Sequence, residues 1–102
     1  MTLKYSFTNS KGEKRVEVQK PFEMLSDISN CTTPHLNDTI TKLEKVVSGE
    51  MDYWSWGGSD YCIIDSAELE SMVFYEFGEK DTIVDTKELL KLLKEYGEFR
   101  KK

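Results

Sequence analysis

The sequence predicts an α+β domain: an antiparallel sheet of about five strands, an N-terminal hairpin plus a meander, packed by two or three helices. Three observations carry this. Short stretches alternate apolar and polar residues near the N-terminus and again through residues 50–85. Turn formers separate those stretches at hairpin spacing. Other segments space their apolar residues helically. The length of 102 residues suits a single domain over 1–102 with one core.

Taken in order, Leu3-Lys4-Tyr5-Ser6-Phe7-Thr8 and Arg15-Val16-Glu17-Val18-Gln19 alternate on either side of Asn9-Ser10-Lys11-Gly12. They form an opening hairpin, with Tyr5 and Phe7 on the face of Val16 and Val18. Pro21 ends the second strand. Phe22, Leu25 and Ile28 recur every three residues and suit a short helix. Thr33 then caps a second helix, Pro34 fits its first position, and Leu36, Ile40, Leu43 and Val47 make its stripe before Gly49 stops it.

Strand-like segments follow at Met51–Trp56, Tyr61–Asp65, Ser71–Phe77 and Thr82–Val84, with glycine-containing turns at 57–60 and 78–81. Two successive hairpins imply a meander. If Phe74 and Met72 point to the core, Val73, Tyr75 and Phe77 lie on the opposite face, which a helix, a strand or a partner must cover. Asp85 or Thr86 caps the last helix, with Glu88 placed for a capping box. Leu89, Leu92, Leu93, Tyr96 and Phe99 form its buried stripe.

The formal net charge of −5 conceals an asymmetry. Residues 1–20 and 86–102 carry +3 each, whereas residues 21–85 carry −11. A field of that sign repels phosphate backbones and attracts basic surfaces, which speaks against direct nucleic-acid binding. The same acids would also serve as an ordinary solvated surface. No apolar run approaches the roughly 20 residues of a membrane helix, and the N-terminus has no secretory apolar region, so a cytoplasmic chain with reduced Cys31 and Cys62 is expected.

Signals for catalysis are nearly absent. His35, the sole histidine, sits in the first turn of a helix, reads as an exposed helix-start residue and has no nucleophile placed beside it. The cysteines lack zinc-ligand spacing, Asp52, Asp60 and Asp65 lack EF-hand spacing, and Gly57-Gly58 lacks the lysine of a phosphate loop. No catalytic residue, metal or cofactor is expected; the chain does not read as an enzyme.

The densest feature is Asp52-Tyr53-Trp54-Ser55-Trp56-Gly57-Gly58-Ser59-Asp60-Tyr61, which holds both tryptophans of the chain. The indoles could cover the helix layer as core. They could stack bases, but flanking acids rather than lysines oppose that. They could anchor a protein partner inside an acidic rim. The candidate contacts are Asp52, Trp54, Trp56, Asp60, Tyr75, Glu76, Glu79 and Asp81, and Trp54, Tyr75 and Phe77 could equally seal a homodimer.

The acidic composition, the opening hairpin, the Trp56-Gly57-Gly58-Ser59-Asp60-Tyr61 turn and the closing Lys87-Glu88-Leu89-Leu90-Lys91-Leu92-Leu93-Lys94-Glu95-Tyr96 helix together resemble the immunity proteins of bacterial polymorphic toxins. Those of contact-dependent growth inhibition systems are the nearest type. The resemblance covers residues 50–102 in texture and the whole chain in size and charge. It implies a cytoplasmic protein that binds and neutralises the C-terminal toxin domain of a neighbouring effector, typically a nuclease with a basic surface. The alternative is a small acidic regulatory or adaptor protein binding a housekeeping partner, including a nucleic-acid mimic.

Overall fold

The computed structural model describes residues 2–58, 62–75 and 81–102. The chain is α+β, with strands β1 (Tyr5–Ser10) and β2 (Glu13–Val18), a 3₁₀ helix (Glu23–Asn30), helix α1 (Thr33–Val47), strands β3 (Trp54–Gly57), β4 (Cys62–Ser66), β5 (Glu70–Tyr75) and β6 (Asp81–Asp85), and helix α2 (Thr86–Arg100). The strands form two sheets, not one of about five: a β1–β2 hairpin and a four-stranded meander in the order β3-β4-β5-β6. All pairings are antiparallel.

The division has a local cause. The backbone N–H groups of Val16 and Val18 point away from β1, where a further strand would take them. Instead each donates to a serine hydroxyl of the 3₁₀ helix, Val16 to Ser29 Oγ and Val18 to Ser26 Oγ, both at 2.9 Å. Ser29 Oγ in turn donates to the Val16 carbonyl at 3.1 Å. The two serines are three residues apart, one turn of a 3₁₀ helix. Phe22, Leu25 and Ile28 share that period, and all three are buried. An eight-residue 3₁₀ helix is long for its type; the β2 edge and an apolar row hold it.

Helix α1 starts one residue earlier than the sequence implies, because Thr32 Oγ1 accepts the His35 N–H at 3.2 Å. It ends in a Schellman motif: Gly49 N donates to Val46 O and Glu50 N to Lys45 O, with Gly49 at φ +82°. Helix α2 is capped by Asp85, whose Oδ1 accepts the Lys87 N–H at 2.8 Å. Glu88 does not close the expected capping box. Its Oε1 accepts the Leu3 N–H at 3.4 Å and so ties the helix to the N-terminal segment.

Helix α2 joins the two sheets. Leu89, Leu92, Leu93 and Tyr96 are buried in one core with Val16 and Val18 of the hairpin and Trp56, Ile64, Val73 and Val84 of the meander. Tyr96 Oη donates to the Lys14 carbonyl at 2.7 Å, and Phe99 stacks on Phe7 at 5.0 Å. Ser71 Oγ donates to Ser66 Oγ at 2.7 Å and lies 2.8 Å from Thr86 Oγ1, which reaches the Ala67 carbonyl. These hydroxyls are buried and mutually satisfied, the condition under which polar groups are tolerated in a core.

That network corrects the expected phase of β5. Ser71 and Val73 face the helices, fully buried, while Met72 is 42% exposed on the other side. A serine at an inward position departs from the apolar-inward alternation that assigns Phe74 and Met72 to the core.

Two predictions follow from the core. Tyr96→Phe leaves the Lys14 carbonyl without its donor and is expected to cost about 1–3 kcal/mol, read as a lower denaturant midpoint at unchanged slope. The second concerns alkali. Tyr5 Oη donates to Glu95 Oε1 at 2.8 Å; burial, then that hydrogen bond and the charges of Glu95 and Glu88, push its ionisation up to about 12. Burial, aided by the Asp27 charge, likewise raises Cys62 to about 12. Both folded values exceed the unfolded ones, so their stabilisation is complete below the unfolded pKa values of roughly 8.5 for Cys and 10 for Tyr. It is lost as pH rises through about 12. Stability measured by denaturant titration should therefore decline across that alkaline window, and less steeply in Tyr5→Phe.

Candidate functional site

Residues 50–85 carry ten acids and one lysine, a net charge of −9, and they build the meander. Its register sets which side chains share a face. Trp54, Trp56, Cys62, Ile64, Ser66, Ser71, Val73 and Val84 look toward the helices. On the outer face one row runs Ser55–Asp65–Met72–Ile83 across all four strands. Flanking it are Ile63 paired with Phe74 and Glu70 paired with Asp85.

Among the described residues no helix covers this face. Tyr53 is 54%, Met72 42% and Ile83 56% exposed, and Leu69, in the β4–β5 turn, reaches 72%. Asp65 Oδ1 accepts from both Tyr53 Oη at 3.0 Å and Ser55 Oγ at 2.7 Å, which fixes one wall of the face. Two open grooves flank the Ile83 side chain. One, of about 330 Å³, lies between Tyr53, Asp65, Met72 and Glu70. The other, of about 430 Å³, lies between Leu69, Glu70, Asp85, Glu88 and Thr2. Ile83 and Glu70 line both.

The residues singled out from sequence scatter. Trp56 is a correction: it is 3% exposed, lies in the core, and its ring stacks on His35 at 5.9 Å. It has no surface to offer a partner, and His35 is half-buried against it, not exposed. Trp54 packs against the core edge on the same inner face, beneath the Lys42 ammonium at 5.6 Å. Its Nε1 is buried with no hydrogen-bond partner among the described residues. Tyr75 is also half-buried against the core. Asp52 is exposed in the bend leading to β3, and Asp81 pairs with Phe74 at the start of β6. Asp60, Glu76 and Glu79, with Phe77, lie outside the described residues. The outer-face cluster is therefore exposed Tyr53, Leu69, Glu70, Met72, Ile83 and Asp85 with half-buried Asp65, none of which sequence reasoning chose as a contact.

Cys31 and Cys62 are separate free thiols, and burial raises the ionisation of both, which holds them in the non-nucleophilic form. No group of three His, Cys, Asp or Glu side chains is placed to hold a metal among the described residues. No described helix is long and apolar enough to cross a membrane.

A tightly packed glycine, Gly58, follows the strand carrying both indoles. Gly58 N donates to Cys62 O at 2.8 Å. A Cβ at Gly58 would run into the Asp27 carboxylate and come within 2.6 Å of Trp56 Cη2. Gly58→Ala is thus expected to destabilise by about 1–3 kcal/mol through overpacking. Thermal and denaturant unfolding check this, and an unchanged midpoint would show that the turn yields freely.

Comparison with protein-family models, with curated proteins and with solved structures found no match to this chain.

Proposed function

We propose that this protein is a stoichiometric inhibitor that binds and neutralises a basic partner protein, in the manner of an immunity protein acting on the toxin domain of its neighbouring effector. The observation that carries the reading is the meander: four strands, lying within a segment of net charge −9, form one sheet whose outer face is partly apolar and, among the described residues, uncovered. A binding surface needs an apolar centre for affinity and charge for steering and partner choice. Both are present there, and the negative field selects against phosphate backbones and for cationic surfaces. The likeness in size, charge and closing helix to immunity proteins supports the same reading. Inhibition would follow from occlusion, with no chemistry asked of this chain.

The test is co-expression with the product of the gene directly upstream. Cells poisoned by that product should regain growth only when this chain is present, and the two should co-purify. The complex should weaken by about tenfold or more between about 50 and about 500 mM salt, because screening shortens the reach of the acidic field. Absence of rescue and of a complex would overturn the proposal.

A further inference from the structure

The apolar centre of the outer face is a ridge. Met72 and Ile83 are directly opposite one another on β5 and β6, both exposed, with a groove on each side. Beside the ridge, at the next outer-face position along both strands, Glu70 and Asp85 are also directly opposite. Like charges in that position destabilise a sheet, and Glu88 and Glu70 share the adjoining groove. No described salt bridge offsets the Glu70–Asp85 pair. The sheet thus keeps an apolar strip beside a like-charged pair, of which Asp85 is held by the N-terminus of α2 while Glu70 has no described ion-pair partner.

We propose that the outer face of the meander is the docking surface for a cationic segment of a partner protein. Its lysine or arginine stems lie along Met72 and Ile83, and its charged heads reach Glu70 and Asp85 beside the ridge and Asp65 at its β4 end. Long basic side chains are suited to such a strip because their aliphatic stems cover apolar surface while the head stays polar. Charge decides between this occupant and a second copy of the chain. Two such faces brought together would oppose the two acidic sheets, whereas a basic segment removes the existing Glu70–Asp85 repulsion. The inference rests on the reading of the protein as a binder of a basic partner, and it moves the contact from the tryptophan segment to residues on the opposite side of the sheet.

Two measurements test it separately from that reading. In the first, the full isotope-labelled chain is titrated with an acetylated hexapeptide alternating arginine and leucine. Amide shifts should change chiefly at Asp65, Glu70, Met72, Ile83 and Asp85. Changes spread evenly over Glu17, Glu44 and Glu50, or no changes, would overturn the surface. In the second, Glu70→Lys with Ile83→Lys is compared with Glu17→Lys plus Glu44→Lys for affinity toward the upstream gene's product. All four side chains are exposed, so folding should survive, as near-UV circular dichroism would verify. The first pair should lose about a hundredfold in affinity and the control less than about threefold.

Equal behaviour of the two pairs, with rescue intact, overturns the surface and leaves the inhibitor function standing. Peptide shifts on the face without neutralisation of the upstream product do the reverse. A dimer of the unaltered chain in light scattering that Ile83→Lys dissociates would place a second copy on the face and overturn the proposal.

Discussion

The backbone donors on the free edge of β2 must be satisfied somewhere, and where they go determines how every other strand is arranged. Because Ser26 and Ser29 take the Val18 and Val16 N–H groups, the hairpin cannot recruit the meander as additional strands. The 3₁₀ helix occupies that position instead, and its Phe22, Leu25 and Ile28 row supplies the apolar surface against which the core forms. The meander is then left to pack through a single face onto the helices. An unmade edge hydrogen bond would cost more than the modest net gain of a made one, so two small hydroxyls have leverage out of proportion to their size.

One-sided packing explains the distribution of polar and apolar residues in the meander. The inner face contains Ser66 and Ser71, which are satisfied together with Thr86 at the start of α2. The outer face contains Met72 and Ile83, which touch solvent. Both departures run against simple alternation of buried apolar and exposed polar residues. The inward departure is resolved within the fold by hydrogen bonding. The outward one has no internal resolution among the described residues, and beside it Glu70 opposes Asp85, whose carboxylate is already committed to capping α2. A local conflict left in place is where a selected sequence most often carries function.

Most of the fold was legible in the sequence, because it rests on strong local signals. Asn9 through Gly12 fixed the hairpin, Pro34 and Gly49 bounded α1, and the leucines of α2 marked its buried stripe. The period of three at Phe22, Leu25 and Ile28 correctly indicated a helix, and it is the period of a 3₁₀ helix. What could not be read was tertiary. Nothing local shows that Ser26 and Ser29 face a strand edge, so the strands were merged into one sheet. Ser71 looks like a surface residue until Thr86 is brought beside it, so the phase of β5 was inverted and Met72 and Ile83 were missed. Density of aromatics drew attention to Trp54 and Trp56, yet large rings go where the core has room, and Trp56 went inside.

The long bonds of helix α2 have a bearing on how the molecule assembles. Tyr96 to Lys14, Leu3 to Glu88 and Tyr5 to Glu95 bridge 82, 85 and 90 positions of the chain. The meander pairs no residues farther apart than Glu70 and Asp85, only 15 positions. Loop-closure entropy grows with the separation spanned, so it falls on the clasp between the N-terminal segment and α2. The sheet bearing the exposed face draws on the cheapest contacts in the chain. Its strands can find their register before the clasp closes, and the exposed outer face does not wait on the costliest step of folding.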